Sequence, residues 1–276
     1  MSANDDLSAE SSATLRAITI LELIAEAEGP LGLNELMAAT NLPKPTVHRI
    51  TNLLARNGML AREAEGKRFA PGPRLASLAM KSMAHPAWQA PRHAILEALV
   101  KEFRETCNIA ILDGTEVVYL DRVEANWPLR LHFQAGSRVP AHASASGKLL
   151  LALMSARERR RLLDAMSYER HTANTLTDRQ AFERELSQIR RQRMSTDKEE
   201  YLEGMVCVAV PVENKTRHVP AALAVHAPAS RIPLADLVRG LPALRRSAAR
   251  LADTFPEVQL RSVKHGASDS GLQFAE

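Results

Sequence analysis

A short turn between two helical stretches constrains the amino-terminal part of this chain more than any other feature. The helical spacing of the first stretch ends at Gly29 and Pro30, a pair that stops helices. A second helix is predicted to start at Asn34, a good N-cap, and to end before a turn at residues 41–43. A third helix begins near Pro45, because proline is tolerated in a first helical turn. This three-residue turn has the spacing of a helix-turn-helix.

Apolar residues at helical spacing predict which side of each helix faces the core of this module. The opposite side of the third helix is polar or charged, so it is predicted to be exposed. In the three helices in turn, the predicted core residues are Leu15, Ile18, Leu21, Leu23 and Ile24, then Leu36 and Met37, then Val47, Ile50, Leu53 and Leu54.

A β-hairpin is predicted directly after the third helix. Two short stretches, 59–62 and 68–70, flank the polar stretch 63–67, and the tip is predicted near Glu65 and Gly66. Residues 13–72 therefore predict helix, helix, turn, helix and hairpin, which is a winged helix-turn-helix.

Charge is unevenly distributed along the chain. The whole chain carries a formal net charge of +4, but residues 1–40 carry −6 and residues 41–74 carry +5. A basic segment inside an acidic region is a candidate contact for a polyanion. A solvated surface with scattered charge would give the same numbers, so charge alone leaves both interpretations open.

The predicted module has the geometry by which many proteins bind DNA. Its third helix fits the major groove, and its wing brings cations to the phosphate backbone. Arg49 can bind guanine or phosphate with its planar guanidinium, and Thr46 suits phosphate at a helix amino terminus. Two interpretations of His48 are open, a contact with DNA and a solvated position on the surface. Arg62 and Arg74 are expected to be surface charges. The predicted DNA-binding residues are Lys44, Pro45, Thr46, His48, Arg49, Asn52, Lys67 and Arg68.

The rest of the chain predicts a linker and an α+β domain. Residues 73–91 are predicted to be a linker helix region and residues 92–256 the second domain, which has a normal domain size. Asp113-Gly114 between apolar stretches is a strong hairpin signal, and Ser155 and Thr177 are predicted N-caps. Other predicted elements are helices over 92–105, 147–154 and 235–254, and strands over 108–112, 116–123, 129–133, 205–212 and 221–227. The tails, 1–12 and 261–276, are expected to be disordered.

Composition excludes several classes of protein. The sequence has no run of ~18 uncharged apolar residues, so no membrane span or membrane partner is expected. Two cysteines cannot build a disulfide scaffold or a four-cysteine zinc site, and a reduced, cytoplasmic setting is expected. The first twelve residues do not resemble a secretory signal.

An enzyme is not expected either. No Gly-x-Ser-x-Gly motif marks a nucleophile. Gly147-Lys148 resembles the end of a phosphate-binding loop, but Leu149 follows where serine or threonine is needed. Cys207, His218 and His226 lack the close paired spacing of a zinc site, so no metal or cofactor is expected.

Several blocks in register resemble the IclR-type family of bacterial transcriptional regulators. They are residues 32–60, 117–123, 139–148 and 197–211, in the family's order, and the resemblance covers about residues 13–254. It implies a winged helix-turn-helix, a linker helix and a GAF-like α/β effector-binding domain. It also implies a homodimer or homotetramer on double-stranded operator DNA, and an effector that is a small organic acid, expected to be aromatic. Pro45 departs from the family, where a small hydroxyl residue is common.

The resemblance also implies an effector pocket. Asp197, Glu199, Met205 and Cys207 stand at family pocket positions, and Ala224 and His226 replace serines of some members. The replacement predicts a different ligand, a larger or aromatic acid held by His226. Open alternatives are an ion pair of either carboxylate with Arg122 or Arg130, and a purely structural role for Cys207.

The stretch 142–147 precedes an apolar helix and is a further candidate. Backbone amides and serine hydroxyls there suit a carboxylate at a helix amino terminus, and the predicted contacts are His142, Ala143, Ser144 and Ser146. Simple capping by Ser144 or Ser146 is an equally open alternative, and a structural role is favoured for His142. We therefore predict a ligand-responsive, DNA-binding regulator of catabolic genes. The alternative is a small-molecule sensor whose helical module binds a protein, although the polar third helix favours DNA.

Overall fold

The computed structural model describes residues 12–27, 29–63, 67–83, 85–127, 133–215 and 217–255. Within them the chain divides into two units between Ser77 and Leu78. Both predicted disordered tails, apart from Ser12, and the predicted wing tip lie outside these residues. No helix in these stretches is both long enough and apolar enough to span a bilayer.

The amino-terminal unit packs three helices against a small antiparallel sheet. Its elements are α1 Ala13–Glu26, β1 Leu31–Gly32, α2 Leu33–Thr40, α3 Lys44–Arg56, β2 Leu60–Arg62 and β3 Arg68–Pro71, with sheet order β1-β3-β2. Ile20, Ile24, Leu36, Val47 and Ile50 are buried at the centre of this unit. The winged helix-turn-helix predicted from the sequence is confirmed.

Two details of this unit differ from the prediction. The N-cap of α2 is Gly32 and not Asn34, two residues earlier than predicted, and the Glu35 carboxylate accepts a hydrogen bond from the Gly32 amide at 2.6 Å. Leu15, Ile18 and Leu53 are exposed, at 54%, 44% and 51%. Three short helices around a small sheet leave part of each apolar stripe uncovered, so helical spacing overstates burial here.

The second unit has a six-stranded antiparallel sheet with helices on both faces. Its strands are β4 Thr106–Asp113, β5 Glu116–Val123, β6 Arg138–Pro140, β7 Ser195–Lys198, β8 Met205–Val212 and β9 Ala221–Pro228, in the order β6-β5-β4-β9-β8-β7. Its helices are α5 Pro86–Phe103, α6 Ala145–Leu153, α7 Ala156–Ala165, α8 Arg179–Gln192, α9 Leu234–Arg239 and α10 Leu241–Ala252, and α4 Pro73–Met83 contains the division between the units.

Two hydrophobic cores lie on opposite faces of this sheet. Leu96 of α5 and Leu244 of α10 pack on one face against Val208 and Val225. Leu149 of α6 packs on the other face, with α8 beyond it. This sheet with helices on both faces agrees with the predicted GAF-like α/β domain.

Several predicted boundaries in this unit shift. The helix expected over 92–105 begins at Pro86, because His85 caps it and proline suits a first turn. Asp178, not Thr177, caps α8 by accepting from the Ala181 amide. The single helix expected over 235–254 is two helices that meet at Gly240, where a Cβ would lie 2.4 Å from the Phe103 ring.

Other local predictions agree with the structure, and one concerns residues that mostly lie outside the described ones. Ser155 accepts from the Glu158 amide and caps α7 as expected. β4 and β5 form the predicted hairpin, and Gly114 in its turn has a φ of +62°. Residues 129–132 of the strand expected over 129–133 lie outside the described residues, and Phe133 is not in a strand.

A β-bulge at Leu120 determines which side chains of β5 face which core. Ile109 pairs with Asp121 and Ala110 pairs with Tyr119, so Leu120 has no partner on β4. An extra residue reverses the alternation of faces beyond it. Asp121 therefore lies on the α5 side, where its Oδ1 accepts from His93 Nδ1 at 3.0 Å and from Gln89 Nε2 at 3.3 Å.

Candidate functional site

The predicted DNA-binding residues of α3 lie at its amino-terminal end and along one side. Lys44, Pro45, His48 and Arg49 are exposed, and Thr46 is half-buried. Pro45 stands in the first turn, where it leaves no interior amide unpaired. Val47 and Ile50, on the other side of α3, are buried and fix the helix in the unit. The arrangement presents a hydroxyl and two cations from successive turns, which is suited to phosphate and base edges.

The wing and α3 are joined by a polar network that the sequence did not predict. Asn52 Nδ2 lies 3.2 Å from His48 Nδ1, and the Arg62 guanidinium donates to Asn52 Oδ1. The same guanidinium lies over the Phe69 ring, 5.3 Å from its centre. Arg62, expected to be a simple surface charge, therefore orients Asn52 and holds β2 to α3.

The two wing residues predicted to bind DNA differ in their surroundings. Lys67 is exposed and adjoins the residues of the wing tip that are not described. Arg68 donates to the Pro30 carbonyl and to Glu35 Oε1, both at 2.9 Å. Its guanidinium therefore already stabilises the start of α2, and a phosphate would have to share it.

A cavity of about 420 Å³ lies in the second unit beside β5, β8, β9 and the start of α6. Five predicted effector-binding residues line it, namely Ser144, Ser146, Asp197, Met205 and His226. Arg122, considered from the sequence only as an ion-pair partner, also lines the cavity. Further lining side chains that the sequence did not single out are Tyr119, Phe133, Trp127, Glu105 and Arg231. The volume fits a small organic molecule.

The amino terminus of α6 forms one wall of this cavity. Ser144 caps the helix by accepting from the Gly147 amide at 3.2 Å, as the capping alternative expected. Ser146 is 3% exposed, and its Oγ has no hydrogen-bond partner within the described stretches. Gly147 allows the close approach to the preceding turn, since a Cβ there would lie 2.3 Å from the Ala141 carbonyl oxygen. The wall thus offers one buried hydroxyl and a helix amino terminus to a ligand.

A cluster of aromatic rings surrounds an arginine at the cavity. The Tyr119 and Phe133 rings meet edge to face at 5.9 Å, and the Arg122 guanidinium carbon lies 5.7 Å from the centre of each. The Arg122 side chain is only 6% exposed, and its Nε lies 3.6 Å from a Glu124 carboxylate oxygen. Burial raises the pKa of the Tyr119 hydroxyl, so it stays a neutral hydrogen-bond donor.

His226 occupies the same part of the cavity. Its ring lies 6.1 Å from that of Tyr119, and its Nε2 lies 3.9 Å from Cys207 Sγ. Burial, together with the charge of Arg122, lowers the pKa of His226 to about 3. His226 is therefore a neutral imidazole, which can form a hydrogen bond to an acid but not an ion pair.

Asp197 lies next to a buried ion pair. Burial raises its pKa to about 7, although its Oδ1 accepts from the Glu200 amide at 2.6 Å. Lys148 of α6 is fully buried, and its Nζ lies 2.5 and 2.6 Å from the two Glu200 carboxylate oxygens. This pair fixes the loop that follows β7, and with it the cavity wall formed by residues 201–205.

The other five predicted effector-binding residues do not line the cavity. His142 and Ala143 are buried before α6, where His142 Nε2 bonds to the Glu169 carbonyl at 2.9 Å. Glu199 accepts from the Gly204 amide at 2.7 Å. Cys207 and Ala224 are buried in the core beneath α6. Burial raises the pKa of the Cys207 thiol, which matches the small core residue considered from the sequence.

The ion pairs considered from the sequence for Asp197 and Glu199 do not form among the described residues. Neither Asp197 nor Glu199 pairs with Arg122, which has Glu124 beside it, and Arg130 lies outside the described stretches. An ion pair that does line the cavity is that of Glu105 with Arg231, whose Nε and Nη2 lie 2.5 and 2.6 Å from the two Glu105 oxygens.

Comparison with known proteins decides the family. Residues 13–64 match the family model of the IclR helix-turn-helix domain, and residues 89–253 match that of the bacterial transcriptional regulator IclR C-terminal domain. The probable transcriptional regulator SauR of Cupriavidus necator is 42% identical over 245 residues, covering 89% of this chain and 97% of SauR. The chain belongs to the IclR family of bacterial transcriptional regulators.

Two solved structures of similar fold contain aromatic acids. One is a double mutant of the PobR inducer-binding domain of Acinetobacter with 3-hydroxybenzoic acid; it is 29% identical with a TM-score of 0.55, covering 58% of this chain and 94% of that one. The other is an IclR homolog of Microbacterium hydrocarbonoxydans with 4-hydroxybenzoate; it is 25% identical with a TM-score of 0.55, covering 88% of this chain and 98% of that one.

Membership of the IclR family settles the class of function. The amino-terminal unit is the DNA-binding domain of a transcriptional regulator, and the carboxy-terminal unit is its effector-binding domain. The prediction that the chain is not an enzyme is confirmed, because the family and its relatives are regulators. The alternative of a helical module that binds protein instead of DNA is not supported.

Proposed function

We propose that this IclR-family regulator changes its affinity for operator DNA when a small aromatic acid binds the cavity described above, and that it controls genes for breaking down that acid. The observation that carries the proposal is the arginine held between aromatic rings in a cavity of about 420 Å³. The rings suit a flat apolar body, and the cation suits a carboxylate. The aromatic acids held by the two similar structures support the same ligand class.

For the DNA side, we propose contacts from Lys44, Pro45, Thr46, His48 and Arg49 of α3, with Asn52 oriented by Arg62. Arg49 is exposed, and no carboxylate in the described part of the chain lies within ion-pair distance of it. We propose Lys67 and Arg68 as backbone contacts of the wing. Recognition of two half-sites requires two copies of α3, so we propose a homodimer or homotetramer.

The first experiment measures DNA binding by fluorescence anisotropy at one fixed, moderate salt concentration. The probe is DNA from upstream of the regulator's own and adjacent genes, with a scrambled duplex of equal length as control. A preference of ~10³-fold or more for the native fragment is expected of a specific regulator. Equal, weak binding to both duplexes, with and without the acids below, would contradict the assigned operator.

A matched pair of variants tests the recognition surface. Arg49→Ala is expected to weaken operator binding roughly tenfold or more, because one base or phosphate contact contributes about 1–3 kcal/mol. Arg157→Ala removes the same charge from an exposed position on α7 and should leave affinity within about twofold. Equal effects of the two variants would mean that net charge, and not the α3 surface, explains the binding.

The same assay then tests the effector class. Benzoate, 3-hydroxybenzoate and 4-hydroxybenzoate are added to the protein–operator complex, with acetate and succinate as aliphatic comparisons. A shift in operator affinity with an aromatic acid, and not with acetate or succinate, is the expected result. A response to the aliphatic acids alone would contradict the aromatic class and leave the regulator function intact.

A further inference from the structure

We infer that Arg122 is the residue that makes this cavity selective for acids over uncharged ring compounds, by binding the carboxylate of the effector. The inference rests on the proposed function, because it assigns a specificity-determining residue within the proposed effector site. The sequence had assigned the binding of the acid to His226, and we assign it to Arg122.

The position of Arg122 suits it to bind a carboxylate. Its side chain is almost fully buried, so its charge acts in a medium of lower dielectric than water. The contacts with the Tyr119 and Phe133 rings hold the guanidinium in place. A planar guanidinium held in this way has the geometry to bind both oxygens of a carboxylate.

Two other cations near the cavity are each paired with a carboxylate. Arg231 uses Nε and Nη2, one edge of its guanidinium, to bind both oxygens of Glu105, and its guanidinium carbon lies 4.4 Å from the centre of the Trp127 ring. Lys148 is fully buried and contacts both oxygens of Glu200. Each of these pairs is close to neutral, so neither competes strongly for a ligand anion.

His226 lacks the charge that an ion pair with the ligand would need. It is neutral over the whole physiological range, because burial and the Arg122 charge lower its pKa to about 3. It can therefore donate or accept one hydrogen bond, which distinguishes ring substituents but does not favour an anion. Burial and the positive charge of Arg122 keep His226 neutral. Arg122 itself then supplies the charge that binds the acid.

Ser146 supplies a second polar contact for the same ligand. Only 3% of its surface is exposed, and it lines the cavity. Its Oγ has no hydrogen-bond partner among the described residues. A buried hydroxyl without a partner is unfavourable, and a hydrogen bond with a ligand oxygen would remove this cost. Together the two residues provide a cation and a hydroxyl for one small acid.

The test compares benzoate with benzamide, which has the same ring and size but no charge. Binding to the full-length protein is measured by isothermal titration calorimetry for the wild type, Arg122→Gln and Arg191→Gln. Arg191 is the matched control, because it is an exposed arginine on α8 that does not line the cavity. The wild type should bind benzoate at least about 30-fold more tightly than benzamide. Arg122→Gln should lose this preference through a 30- to 100-fold weaker affinity for benzoate, with benzamide affinity changed less than about threefold. Arg191→Gln should keep the preference.

Further measurements separate the possible outcomes. Arg122→Lys, which keeps the charge but not the planar fork, should retain part of the preference, and unchanged benzamide binding shows that each variant is folded. A full preference for benzoate in Arg122→Gln would overturn the inference. If the wild type binds neither compound, acetate and acetamide replace them, and failure of all carboxylates to bind would also overturn it. Operator binding by the same sample shows whether the DNA part of the proposed function stands.

Discussion

The buried ion pair between Lys148 and Glu200 gives the sharpest test of how the effector domain is held together. Lys148 is fully buried, and the Glu200 side chain is 6% exposed. Lys148→Met removes the charge and keeps a side chain of similar length, so it leaves no large void. The Glu200 carboxylate then stays buried without its counter-charge, which costs about 3–5 kcal/mol. Typical domains unfold at 5–15 kcal/mol, so this is a large share of the total stability.

Urea unfolding at pH 7 measures the effect in the intact protein. Both tryptophans of the chain, Trp88 and Trp127, lie in the unit that contains the effector domain, so their fluorescence reports its unfolding. Lys198→Met is the matched control: Lys198 lies in β7 close to the same loop but is exposed. The control should change the free energy of unfolding by less than about 0.5 kcal/mol.

A double variant distinguishes loss of the counter-charge from loss of packing. Adding Glu200→Gln to Lys148→Met removes the unpaired carboxylate, so about half of the lost stability should return. Two results would refute the reasoning. One is a cost for Lys148→Met below about 1 kcal/mol; the other is a double variant no more stable than the single one, which would show that packing explains the loss.

Two further predictions concern the cavity walls. Because the folded-state pKa of Asp197 is raised from 3.8 to about 7, its ionisation destabilises the fold progressively as pH rises from about 4 to 7. Asp197→Asn should therefore be more stable than the wild type by roughly 4 kcal/mol at pH 8 and show little gain at pH 4, as judged by urea unfolding. A gain that does not change with pH would contradict this account. Gly147→Ala should cost roughly 3 kcal/mol or more, since its Cβ would lie 2.3 Å from a backbone oxygen, whereas Gly114→Ala, with open space at φ +62°, should cost about 1 kcal/mol. Thermal unfolding of the two glycine variants checks the comparison, and equal losses would argue against close packing at Gly147.

The amino-terminal unit could be predicted from sequence because its signals are local. The turn at 41–43, Pro45 in a first turn and the two-stranded wing each depend on neighbours a few residues away. The burial of Leu15, Ile18 and Leu53 was predicted wrongly because it depends on which other elements cover each helix. A helical spacing shows where an apolar side lies, but not whether anything packs on it.

The cavity could be predicted only in part. Ser144 and Ser146 were found because they precede an apolar helix, and Asp197 because it stands at a family pocket position. Arg122 was considered only as an ion-pair partner. A period of two places Tyr119 and Arg122 on opposite faces of β5, and only the bulge at Leu120 brings both to the cavity. His226 was found by its position, but its neutral state depends on burial beside Arg122, and a sequence does not show burial of that kind.

The bulge in β5 also determines how the cavity is joined to α5, a helix of the second unit. Arg122 faces the cavity, while Asp121, one residue earlier, accepts hydrogen bonds from Gln89 and His93 of α5 and from the Arg122 amide itself. The peptide unit between the two residues is planar and stiff, so a movement of the Arg122 backbone displaces the anchor of α5 by a similar distance. The cavity and α5 thus meet across one peptide unit, with the Arg122 side chain at the cavity and the Asp121 side chain bound to α5.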